Sequence, residues 1–294
     1  MVRDKTFAAR AWDATLVALM AVVSFLSLAP IIHTVAISFS NMAAAAGGFV
    51  TFWPVGFNLE SYRKIIVDPH FGNAFLVSVQ RVLLGGAINF VLTVLMAYPL
   101  SRSPKEFRTR HYYMWFLLFT MLFSGGMIPL YLVVKYLGMF NTLWALVLPG
   151  AVPVFNVVLL MNFFRNLPKE LSEAGTIDGA GPWFMLLRVF LPLSLPALAT
   201  VTLFSLVGHW NSFFDGLIFM RSVESYPLQT YIQQLVVQLS PEYLDSTNVE
   251  LLDKLSDKTL NAAKIMVSMI PILIVYPFLQ RYFIHGIMLG SVKE

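Results

Sequence analysis

The stretch Glu173-Ala174-Gly175-Thr176-Ile177-Asp178-Gly179-Ala180, followed at a distance by Leu191-Pro192, is a charged, small-residue island between two long apolar runs. Its own pattern is that of a short helix with a marked end. Pro168 suits the first turn of a helix over Lys169 to Ile177, Gly179 can end it, and Gly181-Pro182 opens the next helix with proline at its first position. Ala174, Gly175, Gly179 and Ala180 leave a nearly flat outer surface that a partner backbone or helix can approach closely. Glu173 and Asp178 add fixed charge. Such a surface suits docking into a groove on another protein, and the remainder of the chain decides where that protein must be.

Of the 294 residues, 57% are hydrophobic and 12% charged, and the mean hydropathy is +0.71. Soluble proteins carry roughly 25% charged residues. So few charges cannot clothe a surface in water, and the composition is that of an all-α polytopic membrane protein. A barrel would show alternating segments of about ten residues, whereas these apolar runs are long and continuous. A net charge of +4 and a pI of about 9.2 would suggest nucleic acid in a soluble protein. Here the basic residues are read as anchors of cytoplasmic loops, with no nucleic-acid partner. The absence of cysteine excludes disulfides, thiolate metal sites and cysteine catalysis. Charges persist to Asp13, and the apolar run behind them is too long for a signal-peptide core, so the start reads as a first span.

Six spans are predicted, at residues 14–39, 72–100, 112–134, 143–164, 189–220 and 262–283. The first lacks Asp, Glu, Lys and Arg, and at about 1.5 Å per residue it more than crosses a hydrocarbon core of about 30 Å. Pro30 is expected to kink it. The last is the most interrupted, with Pro271 and Pro277 between Lys264 and Arg281; membrane helices tolerate prolines when neighbours satisfy the freed carbonyls. Residues 41–71 and 221–263 read as outer loops, the first containing a short amphipathic helix over Asn58 to Ile66 capped by Asn58. The chain, 1–294, is read as a single transmembrane domain.

An even number of spans puts both termini on one side, and Lys and Arg decide which. Arg3, Lys5, Arg10, Arg102, Lys105, Arg108, Arg110, Arg165, Lys169, Arg188, Arg281 and Lys293 fall on one side. Arg63, Lys64, Arg221, Lys254 and Lys258 fall on the other, all in two long loops where the rule is weak. Both termini, and the 165–188 connection with the opening stretch, are therefore expected in the cytoplasm.

At this point a family can be named. Glu173-Ala174-Gly175, then Gly179 after three residues, then Val189 after nine, then Leu191-Pro192 after one spacer resembles the EAA signature of bacterial ABC importer permeases. Gly175 stands for the second alanine and Val189 for isoleucine. The resemblance covers most of the chain. Asp178-Gly179-Ala180 with Trp183, and Trp210-Asn211-Ser212-Phe213, are similar to the maltose-type carbohydrate branch. Phe123-Ser124-Gly125-Gly126-Met127-Ile128-Pro129 through Asn141-Thr142-Leu143-Trp144-Ala145 resembles a subgroup handling oligosaccharides and polysaccharide fragments. The ending Gly286 to Lys293 resembles the C-terminal tail of the maltose-type second permease.

The resemblance implies a type I ABC importer permease fold in the bacterial inner membrane. This chain would form half of a heterodimeric pore with a second permease subunit. Two ATPase subunits would dock on Glu173, Ala174, Gly175, Asp178, Gly179 and Ala180, and the tail residues Gly290, Val292 and Lys293 would also reach them. An extracytoplasmic solute-binding protein would deliver a carbohydrate, and alternating access would carry it across. The chain has no Gly-x-x-x-x-Gly-Lys-Ser/Thr loop. It is expected to be no enzyme and to bind no cofactor, ATP and Mg belonging to the ATPase subunits.

Remaining candidates carry two readings each. Arg81, inside a span, is a functional candidate by default; it lines the pore or holds the structure. His209, Trp210, Asn211 and Asp215 either contact sugar or pack helices. Asn89, Asn156 and Asn162 are read as inter-helix hydrogen bonds, and Met114, Met121 and Met127 as packing or lipid-facing. Glu242, Asp245 and Glu250 lie in the outer loop, which in the family faces the binding protein. An acidic oligosaccharide would find compensating charge in Arg81, His209 and Lys264. A permease for spermidine or phosphate would share the coupling signature but not Trp210-Asn211-Ser212-Phe213. An ion-coupled transporter would need intramembrane carboxylates, and only Asp215 qualifies.

Overall fold

The computed structural model describes residues 7–238 and 258–291, and every regular element in them is helical. Glu242, Asp245, Glu250, Val292 and Lys293 lie outside the described residues. Among the described residues, three helices are long and apolar enough to cross a membrane: α1 (Phe7–Ser38), α4 (Pro69–Ser101) and the Lys258–Pro277 part of α15 (Lys258–Ser291). Three bent helix pairs bring the total to as many as six spans. The chain is an all-α polytopic membrane protein. Its contacts divide it into two compact units, residues 1–69 with 234–269, and residues 70–233 with 270–294.

In the first unit α1 is apolar all round, and none of its most apolar window is buried. Its second half finds partners: Phe25 meets the Phe52 ring with centroids 6.2 Å apart, His33 Nδ1 pairs with Thr51 O at 2.7 Å, and Ala36 packs with Ala44, Ala45 and Val50 around α2 (Met42–Ala46), which Asn41 caps by accepting from the Ala44 amide at 2.7 Å. The expected helix in the 41–71 loop is present as α3 (Glu60–Val67). Leu59 occupies its cap position, and Asn58 serves from one residue further out, its Oδ1 accepting from the Glu60 amide at 3.1 Å. Two long-range bonds fasten α3 to the start of α15. Ser61 donates to the buried Thr259 hydroxyl at 3.0 Å, and Lys264 pairs with Asp68 at 2.9 Å.

The second unit is built around a core from five elements: Val94 and Ala97 of α4, Leu117 of α5 (Arg110–Leu122), Leu160 and Phe164 of α8 (Val154–Arg165), Phe190, and Leu198 and Val201 of α12 (Leu195–Asn211). Tyr98, Phe164 and Phe190 meet edge to face with centroids 5.2–6.4 Å apart, the geometry that ring quadrupoles favour.

Three expected spans are divided, and in each the cause is local. The run 112–134 becomes α5 and α6 (Met127–Tyr136), turned by 110°. Ser124-Gly125-Gly126 makes the break, and Gly126 has φ +89°, a backbone region other residues enter at a cost. The run 143–164 becomes α7 (Leu143–Val147) with a 3₁₀ turn Leu148–Gly150, then α8, bent by 47° where Pro149, Gly150 and Pro153 interrupt the hydrogen-bond ladder.

The run 189–220 begins earlier, at α10 (Pro182–Phe184), and continues as a π-helical stretch Met185–Phe190 and α11 (Leu191–Leu193). It turns by 85° into α12 at Ser194. Pro192 and Pro196 flank that turn. Each lacks the amide that would continue the ladder and crowds the carbonyl four residues back. α12 ends at Asn211, and α13 (Phe214–Phe219) follows. The 221–263 segment, expected as loop, holds α14 (Leu228–Gln238), whose buried Leu228 amide donates to Ser78 Oγ at 2.7 Å.

Candidate functional site

The opening stretch folds as α9 (Lys169–Ile177). Pro168, expected in its first turn, is instead the residue outside it, with ψ 131°. The C-terminal end carries both bonds of a Schellman motif. The Ala180 amide donates to Gly175 O at 2.8 Å, and the Gly179 amide donates to Thr176 O at 3.2 Å. Gly179 sits at φ +72°. A Cβ there would meet nothing within 4 Å in this chain, so its requirement for glycine is one of backbone conformation. Gly175 differs: a Cβ would lie 2.3 Å from Met185 Sδ. Because that atom is the far end of a flexible side chain and alanine favours helix by about 1 kcal/mol, Gly175→Ala is expected to be near neutral. The melting temperature of the purified protein checks this; a large drop would mean Met185 cannot move.

Glu173, Ala174, Asp178 and Gly179 are exposed and Gly175 and Ala180 half-buried, so the signature residues do form an outward surface. Ile177, a signature neighbour given no role from sequence, is 85% exposed. Arg102 was also missed. Its guanidinium lies over the adjoining rings of Tyr98 and Phe190, at 4.3 and 4.4 Å from their centroids, and Nη1 donates to Ser172 Oγ of α9 at 3.1 Å. It thereby ties the end of α4 and the π-helical stretch to α9. Nearby, Ser103 and Glu106 bond each other reciprocally across a turn, side chain to backbone, at 2.8–3.4 Å. Partial burial alone would raise the Glu106 carboxyl, but the Ser103 amide and hydroxyl and the Arg102 charge outweigh it and hold its pKa below the usual carboxylate range.

The second site lies among the spans. Along α4 the buried Ser78, Arg81, Gly85, Asn89 and Thr93 recur at helical spacing, a polar stripe on an apolar helix. Arg81 is 2% exposed. Its two terminal nitrogens engage both oxygens of Asp215, Nη1 reaching Oδ1 at 3.1 Å and Nη2 pairing with Oδ2. Nη1 also donates to Ser212 O at 3.2 Å and Nη2 to Leu146 O at 3.4 Å. Arg81 thus bonds a carbonyl freed where α12 ends and another at the end of α7. Gly85 admits the His209 ring, since a Cβ would lie 2.5 Å from Nε2. With Oδ1 of Asn89 accepting from His209 Nε2 at 3.2 Å, Nδ2 faces the carbonyls of Gly85, Ala151 and Gly150 at 3.1–3.3 Å. Asn156 donates to Val201 O and Ser205 Oγ, both at 3.1 Å.

These groups line a cavity of about 390 Å³ that Phe204 and Phe219 also border. His209 and Asp215 join Arg81 and Asn89 there. Trp210 does not: it borders a separate apolar pocket with Leu83 and Pro271 and meets Phe75 edge to face at 5.8 Å. Asn211 is exposed at the end of α12. Arg81 and Lys264 both carry carboxylate partners, so two of the three groups expected to meet an acidic sugar already have their charge balanced. Asn162 has an exposed side chain. Gly290 lies in α15.

Residues 74–240 match the family described as "Binding-protein-dependent transport system inner membrane component". The chain is 37% identical over 284 residues, covering 97% of its own length and 99% of the relative's, to the polygalacturonan/rhamnogalacturonan transport system permease protein YtcP of Bacillus subtilis (strain 168). It is 37% identical over 290 residues, 98% and 97% of the two lengths, to protein LplC of the same strain. Among solved structures it superposes, with a TM-score of 0.86 and 30% identity over 95% of this chain and 99% of the other, on a bacterial ABC transporter involved in the import of the acidic polysaccharide alginate. A chain of a bacterial alginate ABC transporter in complex with alginate pentasaccharide-bound periplasmic protein aligns at a TM-score of 0.55 and 14% identity, a likeness of fold. With its signature folded as a capped surface helix and its backbone superposing on a transporter of known structure at a TM-score of 0.86, the chain belongs to the binding-protein-dependent transport system inner membrane component family, the permeases of ABC importers.

Proposed function

We propose that this chain forms half of the translocation pore of an ATP-driven oligosaccharide importer in a bacterial inner membrane, paired with a second permease subunit. The observation that carries the reading is α9: an exposed, sharply ended helix, joined through Arg102 to the end of a spanning helix. A push on such a helix reaches the spans without passing through a flexible loop. On this reading two ATPase subunits hold the surface from Glu173 to Ala180 and supply ATP and Mg, while this chain binds neither. Both termini and α9 are on the cytoplasmic side, as the distribution of Lys and Arg supports.

The oligosaccharide class rests on the relatives, one named for polygalacturonan and rhamnogalacturonan and one involved in the import of the acidic polysaccharide alginate. The cavity lined by Asn89, Asn156, His209 and Phe204 offers amides and an aromatic face to hydroxyls and C–H surfaces. Because Arg81 is neutralised by Asp215, selection for an acidic sugar falls outside this pair.

Reconstituted transport tests the proposal. Proteoliposomes holding the full complex are expected to take up oligosaccharide only with ATP inside and loaded binding protein outside. Uptake by this chain alone, driven by a proton gradient, would sink it.

A further inference from the structure

A second cavity, of about 400 Å³, opens beside α9 where α4 ends and α5 begins. That volume is within the roughly 300–1,000 Å³ of small-molecule sites. Four cations line it, Arg102, Arg110, Arg165 and Lys169, against two carboxylates, Glu106 and Glu173. Glu106 is already engaged by Ser103. The guanidinium groups are held in place: Arg102 by the Tyr98 and Phe190 rings and Ser172, Arg110 by Arg102 O at 3.2 Å, Arg165 by Leu100 O at 3.4 Å. Two buried nitrogens, Arg102 Nη2 and Arg110 Nε, have no hydrogen-bond partner among the described residues. Fixed guanidiniums with spare donors are suited to phosphate oxygens.

Position selects the source of the phosphate. Tyr112, Tyr113 and Trp115 open α5, and Trp183 and Phe184 open the helix leading to Phe190; all are exposed. Exposed Tyr and Trp at the ends of membrane helices sit at headgroup level. Basic pockets between helices at that level take anionic lipid headgroups. We propose that this cavity binds the phosphodiester headgroup of an anionic phospholipid, next to the coupling helix. The site adds to the transport reading and does not depend on which solute is carried.

Native mass spectrometry of the purified complex, exchanged into phosphatidylglycerol or phosphatidylcholine, tests this. At about fivefold per basic side chain near a headgroup, Arg110→Gln with Arg165→Gln is expected to weaken phosphatidylglycerol binding about 25-fold. Lys105→Gln with Arg108→Gln, exposed positions that do not line the cavity, is expected to change it far less. In the wild type, phosphatidylglycerol should be retained over phosphatidylcholine and resist an excess of inorganic phosphate. This wild-type measurement holds even if a variant fails to fold. Equal retention of both lipids, displacement by inorganic phosphate, an equal loss in the control variant, or no lipid in the complex because the ATPase fills the cavity would each overturn the proposal. Lipid occupancy is read without a transport assay, so its failure leaves the transport reading untouched.

Discussion

Asp215→Ala is expected to destabilise the protein by about 3–5 kcal/mol, the usual cost of stranding one half of a buried ion pair. Arg81 would keep two carbonyl contacts and lose the bidentate carboxylate that balances its charge. Thermal unfolding of the detergent-solubilised complex reads the effect, and an unchanged melting temperature would show that the pair does not hold the helix breaks together. Replacing both partners, as Arg81→Met with Asp215→Leu, is expected to recover most of the loss, because apolar residues often substitute for a buried pair at little cost. The doubly substituted protein also separates the two readings of Arg81. Restored transport assigns the pair to structure; a stable but inactive transporter assigns it to the solute path.

The other large effect is expected at Gly179. A non-glycine residue held at φ +72° costs about 1–2 kcal/mol, more for a β-branched side chain, and the cheapest relief is to unwind the end of α9. Gly179→Val should therefore abolish the stimulation of ATP hydrolysis by loaded binding protein while leaving membrane insertion intact. Gly179→Asn should keep most of the stimulation, because asparagine tolerates the left-handed region. Were both variants equally uncoupled, side-chain size in the docking groove would be the reason for glycine, as the flat surface of small residues first suggested, and the backbone argument would fail.

Much of α9 was legible because its punctuation is local: Gly179 at the end and Gly181-Pro182 opening the next helix leave few alternatives. The outer spans were legible from continuous apolar runs. The broken ones were not, since hydropathy is blind to direction and averaging over a span-length window hides the three small residues Ser124-Gly125-Gly126 between strongly apolar neighbours. The 85° turn is flanked by Pro192 and Pro196, but Pro192 counted only toward the family signature and Pro196 was given no reading. At the intramembrane site, Arg81 and Asp215 stood out as charges, yet their pairing joins residues 134 positions apart and no local rule forecasts it. The stripe from Ser78 to Thr93 was readable by helical spacing, and following it would have linked Asn89 to Arg81. Grouping His209, Trp210, Asn211 and Asp215 by adjacency failed because successive residues on a helix point in different directions. Arg102 was hidden because it counted only as a loop charge.

The bonds that fasten α3 have a bearing on the order in which the protein can be completed. Ser61 reaches a hydroxyl 198 positions later, and Asp68 an ammonium group 196 positions later. A chain emerging from the ribosome has therefore made and inserted nearly all its helices before either bond can close. Until α15 arrives, α3 lacks both tethers. An unfinished copy thus differs from a finished one on the surface that α3 shares with α15, and a helix made some two hundred residues later is the one that fastens the segment after α1.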